Sequence, residues 1–185
     1  MNLSRSTDKD ERFPLTRVLR SSEEMKHSQK KKRRGMPPPS VPSEKDWGDY
    51  KADLDQKHAY TVFARRTNLE MQPFFRRNPI ERADDLRWMP EIPFRYYMFG
   101  FRDAVMAKRF DFMYASDAAS CFLGLVLAKL ENHPRHIISI MPDLLPAVEY
   151  VARSQALFKA DESIYGNFLE KLSRIHALYA PYIGS

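Results

Sequence analysis

Residues 94–110 read Phe-Arg-Tyr-Tyr-Met-Phe-Gly-Phe-Arg-Asp-Ala-Val-Met-Ala-Lys-Arg-Phe. On a wheel at about 100° per residue, Phe94, Tyr97, Met98, Phe101 and Val105 share one face. Tyr96, Phe99, Met106 and Phe110 share the opposite one, and Gly100, Ala104 and Ala107 form a small-residue seam between them. Arg95, Arg102 and Arg109 recur every seventh residue as a narrow polar stripe. A helix apolar on two sides must be covered on two sides, so this segment is expected at the centre of an all-α fold. The seam would let a neighbouring backbone come close.

Working outward, Asn78-Pro79-Ile80-Glu81 places Asn at the N-cap, Pro at the first helical position and Glu at N3. The helix it opens is expected to end near Trp88, before Met89-Pro90. Upstream, residues 45–66 predict one or two short helices. Downstream, Ser116 is expected to cap a helix from Asp117 to Leu130. The run Ala118 to Ala128 is almost wholly apolar, which indicates burial on all sides, but it is shorter than the roughly 18 residues of a bilayer span. Ile137 to Ile140 reads as a buried connector without a partner strand. Helices are predicted over Pro142–Lys159 and from Ile164 to Tyr179, the latter with Ile164, Tyr165, Phe168, Leu169, Leu172 and Ile175 on one side. Together these give a bundle of about five or six helices with short connections.

The chain of 185 residues carries a net charge of +6, unevenly placed. Residues 1–40 hold 11 basic and 5 acidic side chains, while the remaining 145 hold 19 of each. Lys30, Lys31, Lys32, Arg33 and Arg34 repel one another, and Pro37-Pro38-Pro39 with Pro42 favours extended chain. Residues 1–43 are therefore expected to be a disordered basic tail and 44–185 the helical domain. The tail has no apolar run of a secretory signal. One cysteine excludes a disulfide scaffold and suits a reducing cytoplasm.

No catalytic motif emerges. His133 and His136 stand at the wrong spacing for a helical zinc pair, with Arg135 between them, and read as a surface loop. Cys121 sits among apolar residues without an electropositive neighbour, as a packing thiol does. Asp84-Asp85, Asp53 with Asp55, and Asp161-Glu162 read as helix-start or solvent-facing charges. No metal or cofactor is expected. Three polar residues fall on apolar faces and are candidates for a buried polar network or a ligand pocket: Asp103, Gln155 and His176. An unpaired buried carboxylate is costly, so Asp103 is expected to meet an arginine or tyrosine of another helix.

The block Ala83-Asp84-Asp85-Leu86-Arg87-Trp88-Met89-Pro90-Glu91-Ile92-Pro93-Phe94-Arg95-Tyr96-Tyr97 resembles that of a family of uncharacterised bacterial, all-helical cytosolic proteins. The segments Ser116 to Leu123 and Ile164 to Phe168 add to the likeness, which spans about residues 45–180 and leaves the basic tail outside. The resemblance implies a small cytosolic accessory or immunity-type protein and brings no catalytic residue with it. The leading expectation is thus a non-enzymatic protein-binding module, with Trp88, Arg95, Arg102 and Arg109 as its contact surface, because Trp and Arg are enriched at hot spots. A second is a nucleic-acid-associated protein that uses Lys30 to Arg34 as a weak, non-specific electrostatic arm. An enzyme with a pocket around Asp103 is a third.

Overall fold

The computed structural model describes residues 40–110 and 114–183. The basic run Lys30 to Arg34 lies outside them. Two 3₁₀ turns, Glu44–Trp47 and Tyr50–Ala52, lead into α1 (Leu54–Phe63), followed by α2 (Gln72–Arg77), α3 (Pro79–Trp88) and α4 (Glu91–Ala107). Then come α5 (Ala115–Asn132), α6 (Pro134–Ile137), α7 (Met141–Arg153), α8 (Glu162–Tyr165) and α9 (Phe168–Tyr179). The fold is an all-α bundle, with no strand among the described residues. No helix among them is long and apolar enough to cross a membrane.

Local chemistry sets the clearest boundaries. Asn78 Oδ1 accepts from the Glu81 N–H at 3.2 Å, and the Asn78 amide donates to Glu81 Oε2 at 2.7 Å. The Asn78 N–H is already bonded to Phe74 O at the end of α2, so Glu81 takes the side-chain amide instead of the usual backbone N–H. Ile137 and Ile140 are buried in the short helical turns between α5 and α7.

α4 and α5 share the centre. α4 packs on α2, α3, α5, α6 and α7, while α5 packs on α3, α4, α6, α7 and α9. Phe94, Tyr97, Met98, Phe101 and Val105 are fully buried. The Phe101 ring lies between Phe75 at 5.3 Å and Phe122 at 6.1 Å, centre to centre. At Gly100 the nearest neighbours of the seam are the Asn68 and Phe75 side chains. Asn68 Nδ2 donates to Tyr96 O at 2.8 Å, and Gln72 Nε2 donates to Gly100 O at 2.9 Å.

Several expectations are corrected. The second apolar face of α4 is covered only toward its N-terminus: Tyr96 is buried, but Phe99 is half-buried and Met106 exposed. Asp103, on that face, is therefore 57% exposed and pairs with its own neighbour Arg102. α4 ends at Ala107 because Lys108 turns left-handed (φ 51°), so Arg109 is off the helix and only Arg95 and Arg102 of the stripe lie on it. Ser116 does not cap α5; its hydroxyl donates to Tyr165 Oη at 3.1 Å. Gly166 (φ 71°) separates α8 from α9, and Asn167 restarts the chain by accepting from the Leu169 and Glu170 N–H groups. That break leaves Ile164 and Leu169 exposed. Asp85 does not face solvent either. It is buried between α3 and α1, with Oδ2 2.8 Å from Arg82 Nε and Oδ1 3.6 Å from His58 Nε2.

Candidate binding cleft

Phe122, Leu125, Val126 and Lys129 lie three and four residues apart along α5, on one buried face. Lys129 is only 2% exposed. Its stem runs through the core and its ammonium sits 4.5 Å from the centre of the Phe94 ring. Nζ lies 3.5 Å from Met89 O and 3.4 Å from His136 Nδ1. Met89 precedes the α4 N-cap Pro90, whose own carbonyl takes the first helical bond from the Phe94 N–H, so the Met89 carbonyl is left outside the helix and free to face Nζ. Among the described residues no carboxylate stands within 4.0 Å of Nζ. Burial pushes the Lys129 ammonium down to about 8, and the Arg87 charge pushes the same way.

The partner imidazole is held in place from α4. Arg95 reaches across α6, with Nη2 2.6 Å from Arg135 O, Nε 3.2 Å from His136 O, and a 2.7 Å ion pair to Glu91. Arg95 thus positions His136 and is not an unspent contact on the surface. Burial lowers the His136 imidazole, with further lowering from Lys129 and His133. The His133 and His136 rings stack with centres 5.2 Å apart.

Lys129 forms part of an open cleft of about 440 Å³, together with Trp47, Asp49, Arg87, Trp88 and His136. Trp47 is fully buried, edge-on to Tyr60 at 5.2 Å, and its indole N–H has no acceptor among the described residues. A buried donor left without a bond costs about 1–3 kcal/mol. Asp53, also in the cleft lining, is committed to capping α1 through the Gln56 N–H at 2.9 Å. The cleft lining thus includes two buried donor-bearing residues, Trp47 and the cationic Lys129.

The residues singled out from the sequence are dispersed. Trp88 belongs to the cleft and is 44% exposed. Arg102 is held by Asp103 Oδ1 at 2.7 and 2.8 Å and lies over the Phe99 ring. Gln155 is half-buried beyond the end of α7, where it donates to Ala160 O and Gly166 O and accepts from the Phe168 N–H. His176 is exposed, 3.4 Å from Glu149, and not on a buried face. Cys121 is half-buried, and burial pushes its thiol up to about 11. Among the described residues no group of three or more His, Cys, Asp or Glu could hold a metal. Lys129 and Trp47 were not anticipated, although a lysine ending the apolar run Ala118 to Ala128 was a visible signal. No family model matches the chain, and no curated protein or solved structure matches it.

Proposed function

We propose that this chain is a non-enzymatic, cytoplasmic helical module that binds another protein, in the accessory or immunity-type role that the family resemblance implies. The observation that carries this reading is Trp88, 44% exposed in the lining of the cleft. Indoles supply large, rigid contact area and are enriched among interface hot spots. Arg95 and Arg102 are committed to contacts within the fold, while Arg109 is exposed beyond the end of α4. A thiol as strongly disfavoured from ionising as Cys121 is a poor nucleophile, in keeping with a binding role.

The test is comparative co-purification of three tagged proteins from cells that express the chain: the natural chain, Trp88→Ala and Leu157→Ala. Leu157 is exposed elsewhere and serves as the control. A protein recovered with the first and third, and reduced by roughly tenfold or more with Trp88→Ala, supports the reading, as a hot-spot truncation of about 2 kcal/mol or more would produce. Equal recovery with all three contradicts it.

A further inference from the structure

Among the described residues Lys129 is a buried cation with no carboxylate within 4.0 Å, and its two polar neighbours, Met89 O and His136 Nδ1, stand at 3.4–3.5 Å, at the long limit for hydrogen bonds. Buried charges are ordinarily paired. In the same lining the Trp47 indole N–H has no acceptor among the described residues. Two buried residues on separate elements, Trp47 at the end of the Glu44–Trp47 turn and Lys129 on α5, thus belong to the lining of one open cleft. Both lack the same thing, an oxygen acceptor, and one of them also lacks a negative charge.

The rest of the lining narrows the ligand. The lining carries two cations, Lys129 and Arg87, and two carboxylates, Asp49 and Asp53, so repulsion from the carboxylates grows with each further negative charge on the ligand. Trp88 and Pro90 add apolar surface beside these polar groups. We propose that this cleft is a binding site for a small organic monocarboxylate, its charged end taken by Lys129 and the Trp47 indole N–H and its apolar body by Trp88 and Pro90. The proposal goes beyond the protein-binding reading and does not depend on it, since it rests on the buried donors and not on a partner.

The chain has two tryptophans, so a ¹⁵N-labelled sample of the full chain gives two indole N–H signals, assigned with Trp88→Phe. Sodium benzoate, neutral benzamide and inorganic phosphate are titrated in turn. Benzoate is expected to move the Trp47 signal saturably, with a midpoint of about 10 mM or lower for a ligand of this size. Benzamide, which lacks the charge, is expected to bind about tenfold or more weakly. Lys129→Met is expected to abolish the benzoate response; the comparison of benzoate with benzamide on the natural chain stands whether or not that variant folds. An unmoved Trp47 signal, or equal responses to benzoate and benzamide, overturns the site. A stronger response to phosphate overturns the carboxylate assignment. None of these outcomes bears on co-purification through Trp88.

Discussion

Lys129 Nζ lies 3.4 Å from His136 Nδ1, and burial lowers the protonation of both groups. Two bases in contact cannot both carry charge without repulsion, and the one with the lower ordinary pKa yields first. His136 is therefore neutral near pH 7, with its proton on Nε2 and Nδ1 left to accept from the ammonium. Arg95 fixes that imidazole by gripping the carbonyls of Arg135 and His136. The cation is tolerated by ring face, carbonyl and imidazole, but it is not neutralised.

Replacing Lys129 with Met should accordingly stabilise the protein near pH 7. The stem volume is kept and a desolvated charge is removed, a change worth about 1–3 kcal/mol in comparable buried sites. Because the folded-state pKa is about 8 against an ordinary 10.5, the unfolded chain binds more protons between those values. Stability of the natural chain then rises with pH through that window, and the advantage of Lys129→Met should shrink. Urea midpoints at two pH values check it; a variant less stable at pH 7 would contradict the account.

Asp85 gives the opposite dependence. Burial pushes its carboxyl up to about 6 from 3.8, against the pull of Arg82 and His58. Its contribution to stability is complete below 3.8 and is lost as pH rises through about 6. Between roughly pH 4 and pH 7 the natural chain should lose about 2 kcal/mol that Asp85→Asn does not lose. Parallel urea titrations of the two proteins would measure this, and identical slopes would show that the Asp85 carboxyl titrates alike in the folded and unfolded chain.

Gly100→Ala should destabilise, although Ala inside a helix ordinarily gains about 1 kcal/mol over Gly. A Cβ at this position would stand 2.8 Å from Asn68 Cγ and 3.1 Å from Phe75 Cε2. Displacing Asn68 breaks its bond to Tyr96 O and loosens the loop before α2. The expected cost is about 1–3 kcal/mol by thermal or urea unfolding. A stabilised variant would mean that the loop yields freely.

The basic tail is tested apart from the fold. If Lys30 to Arg34 bind nucleic acid, about five phosphate contacts give a slope of log K against log salt near −4 to −5, without sequence preference. Fluorescence anisotropy with duplex DNA at two salt concentrations measures it. Changing these five residues to Ala should abolish the binding; retained binding would place it elsewhere in the chain.

What the sequence made legible was local. Asn78 to Glu81 carries its own capping chemistry, and the Phe94, Tyr97, Phe101 face repeats at helical spacing, so both were readable without knowing any neighbour. A wheel does not say which faces neighbours cover, so it put Asp103 inside and the structure put it in water. Helix ends depended on single backbone angles at Lys108 and Gly166, and those two turns removed Arg109 from its stripe and split the last helix. Lys129 escaped notice because its spacing from Leu125 and Val126 matters only once α4 and α6 are known to close over that face. Trp47 lay in a segment whose periodicity was weak, and its buried state depends on Tyr60 and Tyr97, distant in the chain.

α5 buries an ammonium that has no carboxylate within 4.0 Å among the described residues, beside an open cleft. The most direct test of this burial is an NMR titration of the Lys129 side chain in the otherwise unmodified protein, with the signal assigned by Lys129→Met. The account predicts a midpoint at about 8. A midpoint near the ordinary 10.5 would show an ammonium that is solvated or paired, and would contradict it.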